Sequence, residues 1–362
     1  MIFKNNLHLK KLKRKRVAEG RNLAKGLRLD RNEKVDIWPK NFLKNALKGK
    51  PSSFFSTYPE ISNLYKKIAK FNKVSEEQIL ITSGIDGSIK NLLSLITKPK
   101  DVIAVLSPTY AMYQVYSNIF QLNLYKIGYN KDYNIKQNEF DRFFKKKPKI
   151  LFLPNPNQPV ENTFDLIFVK KIAEKCKKIG CFLVVDEAYY HFGAKTALPL
   201  LKKFDNLIIL RTFSKAFGVP SIRAGYTIST KKNMEILSKA RIAHELSSVS
   251  IAIAEYLLDN FKMVKRGISK IKQSRKYIKK ILDKIGLKNR SQYGNYILIK
   301  FRSSTEASSV VKFLRKKLIY VKGPYQKPWD NYINISIGPI DVMKPFLKQI
   351  NQAKKKRLFN WK

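Results

Sequence analysis

From residue 61 to residue 228, apolar runs of strand length alternate with segments whose apolar residues recur on one helical face. Ile61, Leu64, Tyr65, Ile68 and Ala69 share such a face, and 78–82 follows as a short strand. Gly84 comes next. Ile85, Ile89, Leu92, Leu93 and Ile96 then mark a helix whose N-terminus lies at a strand's carboxyl end. Further strands are expected over 101–106, 124–129, 149–153, 181–185, 207–210 and 223–228, with helices around 111–120, 139–146 and 166–179. The run 181–185 is apolar throughout, as a parallel strand covered on both faces is, and it ends in Asp186. This order predicts an α/β fold: a three-layer α/β/α large domain with a mostly parallel sheet, whose ligand site lies at the strands' carboxyl ends.

Residues 51–246 are assigned to that large domain. A long helical stretch over 249–282 follows, then strand 296–301, helix 306–316, strands 319–322 and 332–337, and a last helix. These predict a smaller α+β C-terminal domain over 247–362, while 1–50 reads as a basic N-terminal arm.

Charge raises a competing reading, because 73 Lys and Arg against 26 Asp and Glu give +47, a field that attracts polyanions. Lys10, Lys11, Lys13, Arg14, Lys15 and Arg16 form the densest basic cluster and, taken alone, fit a nucleic-acid or acidic-surface patch. Lysines are nevertheless spread over nearly every helix, as compositional bias produces, so nucleic acid is not an expected partner. No apolar run approaches the roughly 18 residues of a membrane span. The N-terminus lacks the apolar core and small-residue cleavage site of a secretory signal, and a cytoplasmic protein is expected. Cys176 and Cys181 do not have paired zinc-ligand spacing, and His8, His191 and His244 are scattered, so no metal site is expected.

Two strand ends deliver polar residues together: Asp186 with Tyr189 after one apolar strand, and Arg211-Thr-Phe-Ser-Lys215 after the next. A carboxylate at the end of a buried strand costs solvation energy unless a cation pairs with it, and its own segment supplies none. A ligand cation would answer. Lys215 sits between Ser214 and Ala216-Phe-Gly218, and a lysine among small and apolar residues can act as a nucleophilic amine. Either feature alone also fits a solvated turn or a helix cap.

Taken together, Asp186-Glu-Ala-Tyr189, Arg211-Thr-Phe-Ser-Lys-Ala-Phe-Gly218 and Ser221-Ile-Arg223-Ala-Gly-Tyr226 resemble the fold-type I pyridoxal-phosphate aminotransferases, in particular histidinol-phosphate aminotransferase-like proteins. The resemblance extends over 29–33, Tyr58-Pro59, 83–87, Asn155-Pro-Asn-Gln-Pro159 and Ile335-Ser-Ile-Gly-Pro339, almost the whole chain. It implies a pyridoxal 5′-phosphate enzyme acting on small-molecule amine and keto substrates. Lys215 would carry the cofactor as a Schiff base and shuttle the substrate's α-proton. Asp186 would keep the pyridine nitrogen protonated, Tyr189 would hydrogen-bond the phenolic oxygen, and Tyr110 would stack on the ring. Ile85 and Asp86, at a helix N-terminus, would offer amides to the phosphate, with Ser214 and Arg223 adding side-chain donors. Tyr58 would reach the phosphate of a neighbouring subunit, which implies a homodimer.

The chain departs from the family pattern in four places. Gln158 aligns with the asparagine that usually contacts the phenolic oxygen, which leaves Gln158 and Asn157 as alternatives. Gly218-Val-Pro-Ser-Ile-Arg223 keeps the arginine but stiffens the loop at Pro220. Asn334 aligns with the arginine that grips the substrate carboxylate, and Lys322 with a second anion-binding arginine, so these two are expected to bind substrate without the planar fork. The expected reaction is transfer of an amino group between a donor such as glutamate and a small keto or aldehyde compound, phosphorylated or not. A pyridoxal-phosphate decarboxylase of amino acids or their phosphates, or another lyase, is the alternative. A polyanion-binding protein with a vestigial enzyme fold is a third reading.

Overall fold

The computed structural model of the chain describes residues 8–9, 12, 20–130, 132–135 and 137–359, and the basic cluster of Lys10, Lys11 and 13–16 lies outside them. Among the described residues the strands are β1 (Leu27–Leu29), β2 (Ile79–Thr82), β3 (Val102–Ser107), β4 (Asn123–Gly128), β5 (Ile150–Pro154) and β6 (Phe182–Asp186). They continue with β7 (Leu207–Thr212), β8 (Gly225–Ile228), β9 (Asn289–Arg290), β10 (Tyr296–Lys300), β11 (Ile319–Val321) and β12 (Tyr332–Ser336). The sheet expected from the alternation has seven strands in the order β2-β8-β7-β6-β5-β3-β4. All run in one direction except β8, which lies antiparallel between β2 and β7.

The apolar runs read as they do because each central strand is covered twice. Leu151, Leu153, Leu183, Val185, Leu207 and Ile209 face one core, and Ile150, Phe152, Val184, Ile208 and Leu210 face the other. The period of two along each strand thus separates two layers of helices, and the chain belongs to the α/β class. Since β3, β5, β6 and β7 are parallel, Ser107, Pro154, Asp186 and Thr212 end on the same edge of the sheet.

A third core lies under the antiparallel sheet β12-β10-β9, where Ile297, Ile299, Ile333 and Ile335 meet the helices Ser304–Lys316 and Ile340–Lys355. The N-terminal segment belongs to this packing. β1 pairs in parallel with β11, Leu29 and Val35 enter the third core, and Phe42 and Ala46 enter the first. Residues 27–46 are therefore a tie between the two bodies.

Two further expectations are corrected. The stretch over 249–282 is two helices, Ser248–Asp259 and Phe261–Lys284, broken at Asn260, whose side-chain amide donates back to the carbonyl of Tyr256 (2.9 Å). That side-chain bond offers the backbone an alternative to the helical ladder. Ile251, Ile253, Ala254, Leu257 and Leu258 of the first helix pack into the large core, while Ile278 and Leu282 of the second pack into the small one. The passage between the bodies thus runs inside Phe261–Lys284, later than residue 247. Among the described residues no helix is long and apolar enough to cross a membrane.

Candidate active site

The carboxyl edge of the large sheet opens into a cavity of about 970 Å³, walled on the other side by β11 and the segment after β1. Its floor is the end of β6. Asp186 is buried there, accepting from Tyr113 Oη (2.7 Å) and from the amide of Ala188 (3.0 Å). Burial raises its pKa and these two donors oppose the rise. Among the described residues no lysine, arginine or histidine forms an ion pair with it, so a buried carboxylate faces the cavity without a cation.

β7 carries the chain to Lys215 on the same wall. Its Nζ donates to the carbonyls of Arg31 (3.1 Å) and Asn32 (3.4 Å) and lies 5.7 Å from the centroid of the Tyr189 ring. Its pKa is lowered to about 8, first by burial and then by the charge of Lys322, with Glu33 opposing. Tyr189 is buried, with its oxygen 2.9 Å from Nδ2 of Asn32.

The opposite wall is the N-terminus of the helix Gly84–Ile96. Gly84 has φ +69°, a backbone that L side chains rarely adopt. A Cβ on Gly225 of β8 would stand 2.7 Å from the carbonyl carbon of Gly84, so only glycine lets the helix end settle on the sheet. Ile85 and Asp86 line the cavity there, with Ser214 and Arg223. Asp86 is held between Arg223 Nη2 (3.1 Å) and Tyr110 Oη (2.9 Å).

The structure separates the alternatives at 157 and 158. Gln158 lines the cavity, its Nε2 3.4 Å from Tyr325 Oη. Asn157 is fully buried and satisfied by protein: Nδ2 donates to the carbonyl of Pro108 (2.9 Å) and to Tyr129 Oη (2.8 Å), and Oδ1 accepts from Thr109 (2.6 Å). It does not line the cavity.

Lys322 lines the cavity, its pKa lowered by burial with Asp30 opposing. Asn334 does not, which corrects its expected substrate contact. It sits mid-strand in β12 with no exposure, and its Nδ2 donates to Oδ1 of Asn32 (2.9 Å). Tyr58 is also off this cavity, 82% exposed and stacked on His244 with centroids 4.4 Å apart.

Sequence reasoning missed Tyr113 and the bridging role of Asn32. Tyr113 lies one helical turn beyond Tyr110, so the spacing placed it near the site, but its aim at Asp186 depends on packing against Phe152. Arg211, quoted beside Lys215, belongs to the scaffold. It forms a buried ion pair with Glu187 (2.8 Å) and stacks on Tyr190.

The residues present fit pyridoxal 5′-phosphate: an unpaired buried carboxylate for a ring cation, an amine of depressed pKa for an aldehyde, and a helix N-terminus with an arginine for a phosphate.

Comparisons with known proteins point the same way. The family model for aminotransferase class I and II matches residues 21–350. The chain is 30% identical over 305 residues to a histidinol-phosphate aminotransferase of Caldanaerobacter subterraneus subsp. tengcongensis, covering 83% of this chain and 86% of that protein. It is 31% identical over 309 residues to the protein of that name from Hydrogenobaculum sp., covering 82% and 85%. Among solved structures, histidinol-phosphate aminotransferase from Sinorhizobium meliloti, in complex with pyridoxal-5′-phosphate, superposes with TM-score 0.81 at 24% identity, over 90% of this chain and 91% of that one. A C-S lyase from Staphylococcus hominis superposes with TM-score 0.82 at 15% identity, over 96% and 98%, a likeness of fold.

Proposed function

We propose, from the premise that this chain belongs to the aminotransferase class I and II family and is a pyridoxal 5′-phosphate-dependent transaminase, that its amino acceptor is a small anionic keto or aldehyde compound and that glutamate is a donor. The observation that carries the substrate class is the cavity wall facing Lys215, where Lys322 has no ion-pair partner among the described residues. Relatives named for histidinol phosphate make a phosphorylated acceptor the first to test. The comparisons favour transamination over decarboxylation.

The cofactor, when bound, supplies an aldehyde that condenses with amines and a ring that withdraws electrons from the carbon bearing the amine. Lys215 would hold that aldehyde and, once freed by substrate, its Nζ would take the proton from the substrate carbon bearing the amine and pass it to the former aldehyde carbon. Its lowered pKa keeps a useful fraction of neutral amine near neutral pH. Asp186 would hold a proton on the ring nitrogen, and Tyr113 and the Ala188 amide fix its carboxylate for that. Tyr189 and Gln158 would orient the ring edge, and Tyr110 would stack on the ring. The amides of Ile85 and Asp86, with Ser214 and Arg223, would hold the phosphate.

We assign Tyr58 to the phosphate of a partner subunit, since it is exposed and off its own cavity, and the protein to a homodimer that shares its sites. The test of substrate class is an acceptor panel. With glutamate as donor, phosphorylated aldehydes and ketones should give kcat/KM well above their unphosphorylated counterparts. Equal values would remove the anionic requirement.

A further inference from the structure

The arginine fork that position 334 lacks is present elsewhere, on the cavity wall formed by β1 and the segment after it. Arg28, Arg31 and Arg223 are the arginines lining the cavity. Arg223 is engaged by Asp86 and by the carbonyl of Pro220. Arg28 spends a terminal nitrogen on Glu33 (Nη1 to Oε2, 3.6 Å). Arg31 meets Asp30 only through Nε, at 3.6 Å, and neither of its terminal nitrogens makes a hydrogen bond among the described residues. Its side chain is half exposed, at the cavity's mouth.

The backbone of Arg31 is tied to the reacting centre, because its carbonyl accepts from Lys215 Nζ at 3.1 Å. A substrate amine that reacts beside Lys215 places its α-carboxylate within a side chain's length of that carbonyl. A free guanidinium edge there can meet a carboxylate with two parallel charge-assisted hydrogen bonds, which a lysine cannot do. Lys322, on the same wall where Leu29 of β1 pairs with Val321 of β11, is a point charge suited to a second anionic group.

We infer that Arg31 is the residue that grips the substrate's α-carboxylate, replacing from the N-terminal segment the clamp that β12 no longer carries. The substrate class follows: an α-amino acid with a second anion, the carboxylate on Arg31 and the other group on Lys322. This rests on the transaminase reading given above.

The test uses the cofactor-loaded protein and glutarate, a five-carbon dicarboxylate without an amine, titrated by calorimetry. Losing a bidentate charged pair should weaken glutarate binding by about 10- to 100-fold in Arg31→Ala, with Arg31→Lys recovering part of the loss. Arg28→Ala should cost about threefold or less, since that guanidinium is already turned to Glu33. Affinity for pyridoxal 5′-phosphate should be the same in Arg31→Ala as in the native protein. Native protein that does not bind glutarate, an Arg31→Ala value within about twofold of native, or an Arg28→Ala loss equal to that of Arg31→Ala would each overturn the assignment. Release of 2-oxoglutarate from glutamate by the native protein, measured separately, judges the transaminase reading by itself.

Discussion

Asn334 on β12 donates from Nδ2 to Oδ1 of Asn32 at 2.9 Å, and Asn32 in turn donates to Tyr189 Oη at 2.9 Å. A strand of the small body thereby sets the orientation of a tyrosine on the cavity wall of the large one. With Asn32 donating to the tyrosine oxygen, the Tyr189 proton is free to point into the cavity. The amide at 334 is thus a support for Tyr189.

Asn32→Ala should leave the Tyr189 hydroxyl and the Asn334 amide without partners in a buried place. Stability should fall by about 1–3 kcal/mol. Denaturant melts of the cofactor-free protein measure it, and an unchanged midpoint would show that the bridge carries no stability. Asn334→Arg, which the alignment alone would suggest as a restored clamp, should lower stability further, because a longer cation has no exposed path from that position.

Asp186→Asn keeps the shape of the site but cannot hold a proton on the ring nitrogen. Turnover should drop by about a hundredfold or more while cofactor still binds. Turnover near the native rate would remove Asp186 from this role.

The pKa of Lys215 gives a pH profile. Burial and the charge of Lys322 both disfavour the ammonium, so the neutral amine forms as pH rises through about 8. Covalent capture of pyridoxal 5′-phosphate by the cofactor-free protein should speed up through that range and level off above it. Lys322→Met should move the midpoint upward, since it removes a neighbouring positive charge. A profile still climbing in the ordinary lysine range would contradict the shift.

The proposed sharing of sites between two subunits predicts complementation. Lys215→Ala and Tyr58→Ala homodimers should each be weak or inactive, and mixing them under exchange should restore activity through hybrids with one intact site. Absence of recovery in mixtures shown to exchange subunits would place Tyr58 outside the partner's site.

Much of this was legible in the residues themselves. The alternation of apolar runs announced the sheet because β5, β6 and β7 are covered on both faces, and Asp186 and Lys215 stood out because strand ends deliver them. The antiparallel placement of β8 was not legible, since a fully buried strand reads the same in either direction. Asn334 shows a second limit. Alignment gave its position in β12, but whether its side chain met the cavity depended on Asn32, distant in sequence and brought there by the pairing of β1 with β11. Arg31 lies within the 29–33 stretch of the resemblance, but the proposal for it turns on which of its nitrogens are already engaged, and sequence does not show that.

The central claim is tested most directly by a single-turnover measurement on the cofactor-loaded protein with glutamate and no acceptor. A transaminase must stop after one half-reaction, so the account predicts about one equivalent of 2-oxoglutarate per active site, no carbon dioxide, and a second burst only when acceptor is added. Lys215→Ala should release none. Continuous release of carbon dioxide without acceptor, or the same burst from Lys215→Ala, would contradict it.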